Sequence, residues 1–287
     1  MPANPEQFAY NIVNGVATAT FPGNVTILGS LLATPNASYS IVELEAMQLA
    51  QMSAVKQVDC YSYYAGGNNG GGKFQFITTA TTPINGFYIP PTDYPDGSHG
   101  VFARIVSEAG ISPEMAGAKC DGVSDDLAAF QACVAYLNAG SPYRKINLRV
   151  GTYYLSAGLK IVPWIDLNGV GSGNLNPANC THILCADNVN PAFYLNLMDY
   201  VGPFELEGFI KIHDMWIDSF KPVRIGNRSD GTGSGTNPFQ VQPLLMNVEI
   251  YNLRISPNGS HHLYGVDIVD VVIVISPFFN AFARNPI

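Results

Sequence analysis

Two acids and three large polar or aromatic side chains recur at equivalent positions of a repeated pattern. Glu249 and Asp267 occupy one such position. Carboxyl groups held ~5–5.5 Å apart can cleave a glycosidic bond with retention, one as acid and the other as nucleophile. Trp216, Tyr251 and Arg254 stand at nearby positions, and they offer two rings and a guanidinium for stacking on, or hydrogen-bonding to, a sugar. Asp121, Asp125 and Asp126 form a denser acidic cluster. There, Asp-Gly is turn chemistry, and Ser124 or Asp125 can cap the helix that follows. The spacing Gly67, four residues, Gly72-Lys73 nearly matches a phosphate loop, but Phe74 stands where the magnesium-binding hydroxyl belongs. A glycine-rich hairpin is the expectation. The five histidines, His261-His262 included, show no metal spacing, and the five cysteines read as buried free thiols.

The pattern that must position the first set is aliphatic, any, Ile, any, Asp or Asn, aliphatic, any, Ile. It runs through Ile210–Ile217, Val248–Ile255 and, less strictly, Val266–Ile273. The starts are 38 (248 − 210) and 18 (266 − 248) residues apart. The larger gap holds the loop-like insertion Gly226–Asn237. Ile165–Val170 and His182–Cys185 continue the alternation upstream. Each copy reads as two short strands bent at Asp214, Asn252 or Asp270, stacked as turns of a β-solenoid with aliphatic residues inward. Lys211, Glu249 and Asp267 then face outward. If the copies stack in order, Glu249 and Asp267 lie ~4.8 Å apart on adjacent strands. The same positions also suit the solvated exterior that any such solenoid needs, and an ordinary sandwich is the alternative fold.

Charged residues make up only 13% of the 287 residues, with 28 Gly and 20 Pro, which favours a turn-rich, mainly β body. A net charge of −8 argues against a nucleic-acid partner. No apolar run reaches membrane-spanning length, so no membrane insertion is expected. Ser40–Glu43 is a capping box that should start a short helix through Leu44, Met47 and Gln51, followed by a strand from Ala54 to Tyr61. A second helix, about Asp125–Leu137, places Ala129, Phe130, Cys133, Val134 and Leu137 on one face. It should lie as a lid on the first coil, so the acids before it are turn and cap residues.

Gly117-Ala118-Lys119-Cys120-Asp121-Gly122-Val123-Ser124-Asp125-Asp126, with the later Gly151-Thr152-Tyr153, resembles the opening of pectate-lyase-3-type right-handed parallel β-helix proteins. Cys120, where that form has Gly, and Arg149-Val150, where it has Pro, depart from it. Tyr63-Tyr64-Ala65-Gly66-Gly67-Asn68-Asn69-Gly70-Gly71-Gly72-Lys73-Phe74 is similar to the module preceding the β-helix in bacteriophage tailspikes. The resemblance implies a virion-anchoring segment over 1–37, a glycine-rich entry module over 38–112, and a capping helix with the first coils of a parallel β-helix over 113–287. It further implies a homotrimer on the phage tail, docked to virion proteins through its N-terminus. Such a spike acts at the host surface on a capsule or lipopolysaccharide glycan, as a receptor-binding protein and polysaccharide depolymerase, with no cofactor. Relatives continue through further coils, so the chain is expected to be the N-terminal portion of a longer protein. The alternatives are a non-catalytic virion component that docks other fibres, or a free pectinase-like enzyme.

Overall fold

Alternating apolar residues and frequent turns give a mainly β chain with three short α-helices among the described residues. The computed structural model describes residues 9–13, 16–21, 25–30, 39–173, 177–187, 190–196, 208–219, 223–226, 244–257, 266–269 and 272–273. Strands β1 (Ala9–Val13), β2 (Val16–Phe21) and β3 (Val25–Ser30) form an antiparallel meander.

The entry module follows. It comprises β4 (Tyr39–Ser40), α1 (Ile41–Glu45), α2 (Leu49–Val55), β5 (Gln57–Ser62), β6 (Gly70–Ile77), β7 (Tyr88–Ile89) and β8 (Val101–Arg104), with sheet order β4-β5-β6-β8-β7. The capping box forms as its residues dictate. Glu43 N–H donates to Ser40 Oγ at 3.2 Å, and Ser40 N–H donates to Glu43 Oε2 at 2.7 Å. The expected single helix breaks in two between Glu45 and Leu49, and the strand expected from Ala54 starts at Gln57. Lys56, at φ 59°, is the turn between α2 and that strand. Ile41, Leu44, Met52, Phe74 and Phe102 fill the module's core.

Gly66 and Gly67 lie in the hairpin loop between β5 and β6, and Gly70–Gly72 open β6, which pairs antiparallel with β5, with no helix after the run. Gly70 and Gly72 have no room for a side chain. A Cβ on Gly70 would lie 2.0 Å from the Glu114 carbonyl oxygen, and one on Gly72 would lie 2.5 Å from an Arg104 guanidinium nitrogen. Arg104 is buried and donates to four carbonyls: Gly86 (2.6 Å), Gly71 (2.6 Å), Gly70 (2.9 Å) and Met115 (3.0 Å). It also lies over the Phe74 ring at 4.6 Å. Burial pushes its guanidinium down to about 10. One side chain thus ties the glycine strand to the 3-10 turn Pro113–Ala116 that leads into the solenoid.

From β9 (Asp121–Asp125) onward every strand pairing among the described residues is parallel. After α3 (Leu127–Asn138) come β10 (Lys145–Asn147), β11 (Gly151–Leu155), β12 (Leu159–Lys160), β13 (Ile165–Asn168), β14 (Thr181–Cys185) and β15 (Phe193–Asn196). Next are β16 (Gly208–Ser219), β17 (Val223–Gly226), β18 (Leu244–Pro257), β19 (Val266–Val269) and β20 (Val272–Ile273). They stack in three parallel sheets. The first contains β10, β13 and the first halves of β16 and β18, with β20 beyond. The second contains β9, β11, β14 and the later halves of β16 and β18. The third contains β12, β15, β17 and β19. This is a parallel β-helix.

The two strict copies pair as aligned, Ile210 with Val248, Ile212 with Ile250 and Ile217 with Ile255. Ile165 and Leu167 pair with Ile210 and Ile212. Ile146, Ile165, Leu167, Ile183, Ile210 and Ile212 are fully buried in one core. The bends fall at Asp214 (φ 58°) and Asn252 (φ 49°), and Asn252 Nδ2 donates to Asp214 Oδ1 across the coils. Asp270 and most of the Gly226–Asn237 insertion lie outside the described residues, as do the last fourteen residues of the chain.

The third copy is placed differently from expectation. Val266–Val269 pairs with Val223–Gly226 in the third sheet, and Val272 pairs with Leu244 in the first. Every sheet of the solenoid demands the same in-out alternation, so similarity between strands does not say which sheet a strand joins.

Helix α3 buries the predicted face, with Phe130, Cys133 and Leu137 in the β-helix core. The acids before it are turn and cap groups. Asp121 accepts from Val123 N–H and Ser124 N–H, and Asp125 accepts from Leu127 N–H at 3.0 Å. Asp126 is buried and accepts from Lys119 N–H and Cys120 N–H. Burial outweighs those bonds and pushes its carboxyl up to about 6. All five cysteines are buried, and none is in a disulfide.

Candidate functional site

Two columns of outward residues run from coil to coil on the first sheet. The register sets Lys145, Asp166, Lys211 and Glu249 side by side, so basic and acidic groups alternate. The next column sets Asn147, Asn168, His213 and Tyr251 side by side. Parallel register at ~4.8 Å per strand makes such neighbours touch. Lys211 Nζ lies 3.0 Å from Glu249 Oε2, and that bond raises the lysine's pKa. His213 Nε2 is 2.9 Å from Asp166 Oδ1, and its Nδ1 is 2.6 Å from Asp214 Oδ2. Burial alone would raise Asp214, but the bonds from His213 and Asn252 overcome it and hold the carboxyl below its usual value. The Tyr251 ring stacks on the His213 ring, with centroids 4.6 Å apart and planes 11° apart.

This register corrects the expected acid pair. Glu249 neighbours Lys211 in the first sheet, whereas Asp267 neighbours Arg224 in the third. The two are not cross-strand partners. The ~4.8 Å separation required the third copy to stack on the second, and it does not. The Asp267 side chain lies outside what the structure describes.

Trp216 and Arg254 also differ from the sugar-stacking expectation. On the second sheet His182, Trp216 and Arg254 are register neighbours. The Trp216 ring lies against His182 at 4.5 Å, and the Arg254 guanidinium lies over it at 4.0 Å. The indole is thus the middle layer of a protein stack, and Arg254 is engaged with it. Burial lowers the His182 pKa, with Arg254 adding to the effect. Tyr251 is different: it is 41% exposed beyond its contact with His213.

Sequence reasoning identified Glu249 and Tyr251 but assigned no role to Asp166, His213 or Asp214 at this site. The signal was present, since Asp166 occupies the Lys211 position of the upstream copy. His213 is held by two carboxylates and supports the Tyr251 ring from behind. Lys211 and Glu249 remain about one-third exposed, and they flank that ring with a donor and an acceptor. A flat apolar surface beside a paired donor and acceptor suits a ligand that presents both C–H faces and hydroxyl groups. A cleft of about 420 Å³ lies elsewhere, between Glu45, Pro83, Tyr88 and Pro91 in the entry module.

No protein-family model and no curated protein matches the chain. Solved structures are similar at the level of fold. Full-length tailspike protein 2 from Escherichia coli O157:H7 bacteriophage CAB120 is 16% identical with a TM-score of 0.37, over 89% of this chain and 35% of its own. Pantoea stewartii WceF, a glycan biofilm modifying enzyme with a tailspike-like parallel β-helix fold, is 16% identical with a TM-score of 0.37, over 84% of this chain and 33% of its own. Tailspike gp49 of Acinetobacter baumannii bacteriophage Fri1, a capsular polysaccharide depolymerase, is 15% identical with a TM-score of 0.39, over 80% of this chain and 51% of its own. The chain therefore spans about a third to a half of these proteins.

Proposed function

We propose that the chain is part of a tailspike-like protein whose first β-helix sheet binds a polysaccharide of a host cell surface. The observation that carries this reading is the exposed Tyr251 ring, backed by His213 and flanked by the Lys211–Glu249 pair. The tailspike-like entry motif, folded here as a glycine-rich hairpin ahead of the solenoid, supports it. Virion attachment through the N-terminal part, a homotrimer, and depolymerisation by the longer protein belong to the same proposal. Glu249 and Asp166 are the acids of the outward column on which cleavage would draw.

The test is affinity of the intact protein for a panel of capsular and O-antigen polysaccharides. Tyr251→Ala should lower affinity for the bound glycan at least ~10-fold, the cost of losing a stacking anchor, without lowering the melting temperature appreciably. Binding without new reducing ends or unsaturated products would make the protein a non-catalytic binder. No binding to any polysaccharide would overturn the proposal.

A further inference from the structure

Trp164 immediately precedes β13 and has φ 70°, a left-handed conformation that is an outlier for a bulky aromatic residue and natural for glycine. Its side chain is 37% exposed, so burial does little to offset that conformation. Trp164 N–H donates to the Phe209 carbonyl at 2.9 Å. Its ring meets Phe209 edge-on, with centroids 6.1 Å apart and planes at 79°. Phe209 alternates outward with Lys211, on the side opposite the buried Ile210 and Ile212. The Trp164–Phe209 pair therefore borders the charged column on one side, and His213 with Tyr251 borders it on the other. From Phe209 to His213 is four strand residues, ~13 Å.

The charges between the two aromatic pairs are matched. The column between them holds two lysines, Lys145 and Lys211, and two carboxylates, Asp166 and Glu249, with Lys211 bonded to Glu249. Such groups present donors and acceptors to hydroxyls while offering no uncompensated charge to an ionic ligand.

We infer that Trp164 and Phe209 form a second aromatic platform on this face, so that a hydroxyl-rich, uncharged stretch of glycan lies diagonally over the sheet, along the strands as well as across them, from Tyr251 to Trp164. The inference rests on the glycan reading above and assigns its orientation and ligand class. A glycan in this position contacts Tyr251 first and reaches Trp164 only when several sugars long.

Trp164→Gly is the decisive variant, because glycine adopts the observed backbone without strain and the fold should be retained. Affinity of the intact protein is measured for the bound polysaccharide and for its oligosaccharides of increasing length. Trp164→Gly should lose ~10-fold or more for long ligands and nothing for the shortest that bind. Tyr251→Ala should lose affinity for all of them. Raising salt from ~0.05 to ~0.5 M, which screens exposed charges, should change affinity less than ~2-fold. A Trp164→Gly protein that binds long ligands as tightly as the parent overturns the second platform, and a steep salt dependence overturns the uncharged class. A parent protein that binds no glycan overturns the glycan reading, and this inference with it.

Discussion

Replacing Arg104 by methionine should lower stability by ~3 kcal/mol or more. Methionine keeps most of the packing volume against Phe74, so the loss isolates the guanidinium. Four backbone carbonyls, of Gly70, Gly71, Gly86 and Met115, would lose their donors. An unpaired buried acceptor costs ~1–3 kcal/mol, and relaxation with entry of water recovers part of the sum. The original cost of burying the cation, seen in its lowered pKa, is relieved by the substitution and reduces the net loss. The balance still favours arginine, because no other side chain has a planar fork able to reach four acceptors. Arg104→Lys should therefore be intermediate, with three donors and no ring-stacking plane. Urea unfolding of the three proteins checks the order; a methionine variant within ~1 kcal/mol of the parent would contradict it.

Gly70→Ala should be comparably damaging, and Gly66→Ala mild, although both glycines have positive φ (78° and 76°). Both substitutions carry the left-handed penalty of ~1–2 kcal/mol. A methyl group at Gly66 would meet nothing within 4 Å, whereas a Cβ on Gly70 would sit 2.0 Å from the Glu114 carbonyl oxygen and 2.8 Å from its carbonyl carbon. That backbone belongs to the turn which Arg104 also grips through Met115, so it cannot retreat without releasing the guanidinium. Thermal unfolding should show Gly70→Ala melting well below Gly66→Ala. Equal losses would mean that the glycine run serves the conformation of the loop and not the close packing of two segments.

These residues show why part of the molecule was legible and part was not. The pairing of Ile210–Ile217 with Val248–Ile255 could be read directly, because their positions agree in type and in the place of the bend. The sheet occupied by Val266–Val269 could not be read, since a short alternating strand fits all three and loop lengths do not fix the phase. The acid pair failed for the same reason. Trp216 and Arg254 align in the repeat but were read as sugar contacts, because neither the guanidinium over the ring nor His182, from a separate strand, on its other side is visible without the register. Trp164 lies before its strand, outside any repeat, and only its backbone conformation and contact with Phe209 single it out. The glycine run was read as a hairpin without its reason, because Arg104 is about thirty residues away in sequence.

Oxidative footprinting of the intact protein, with and without a polysaccharide that it binds, tests the glycan-face claim most directly. Tyr251, Trp164 and Phe209 should become protected. Tyr61 and Tyr64, 41% and 43% exposed in the entry module, should react unchanged, and Trp216 should change little because His182 and Arg254 already cover it. Protection of Tyr61 and Tyr64 with Tyr251 unaffected would place the glycan elsewhere and contradict the account.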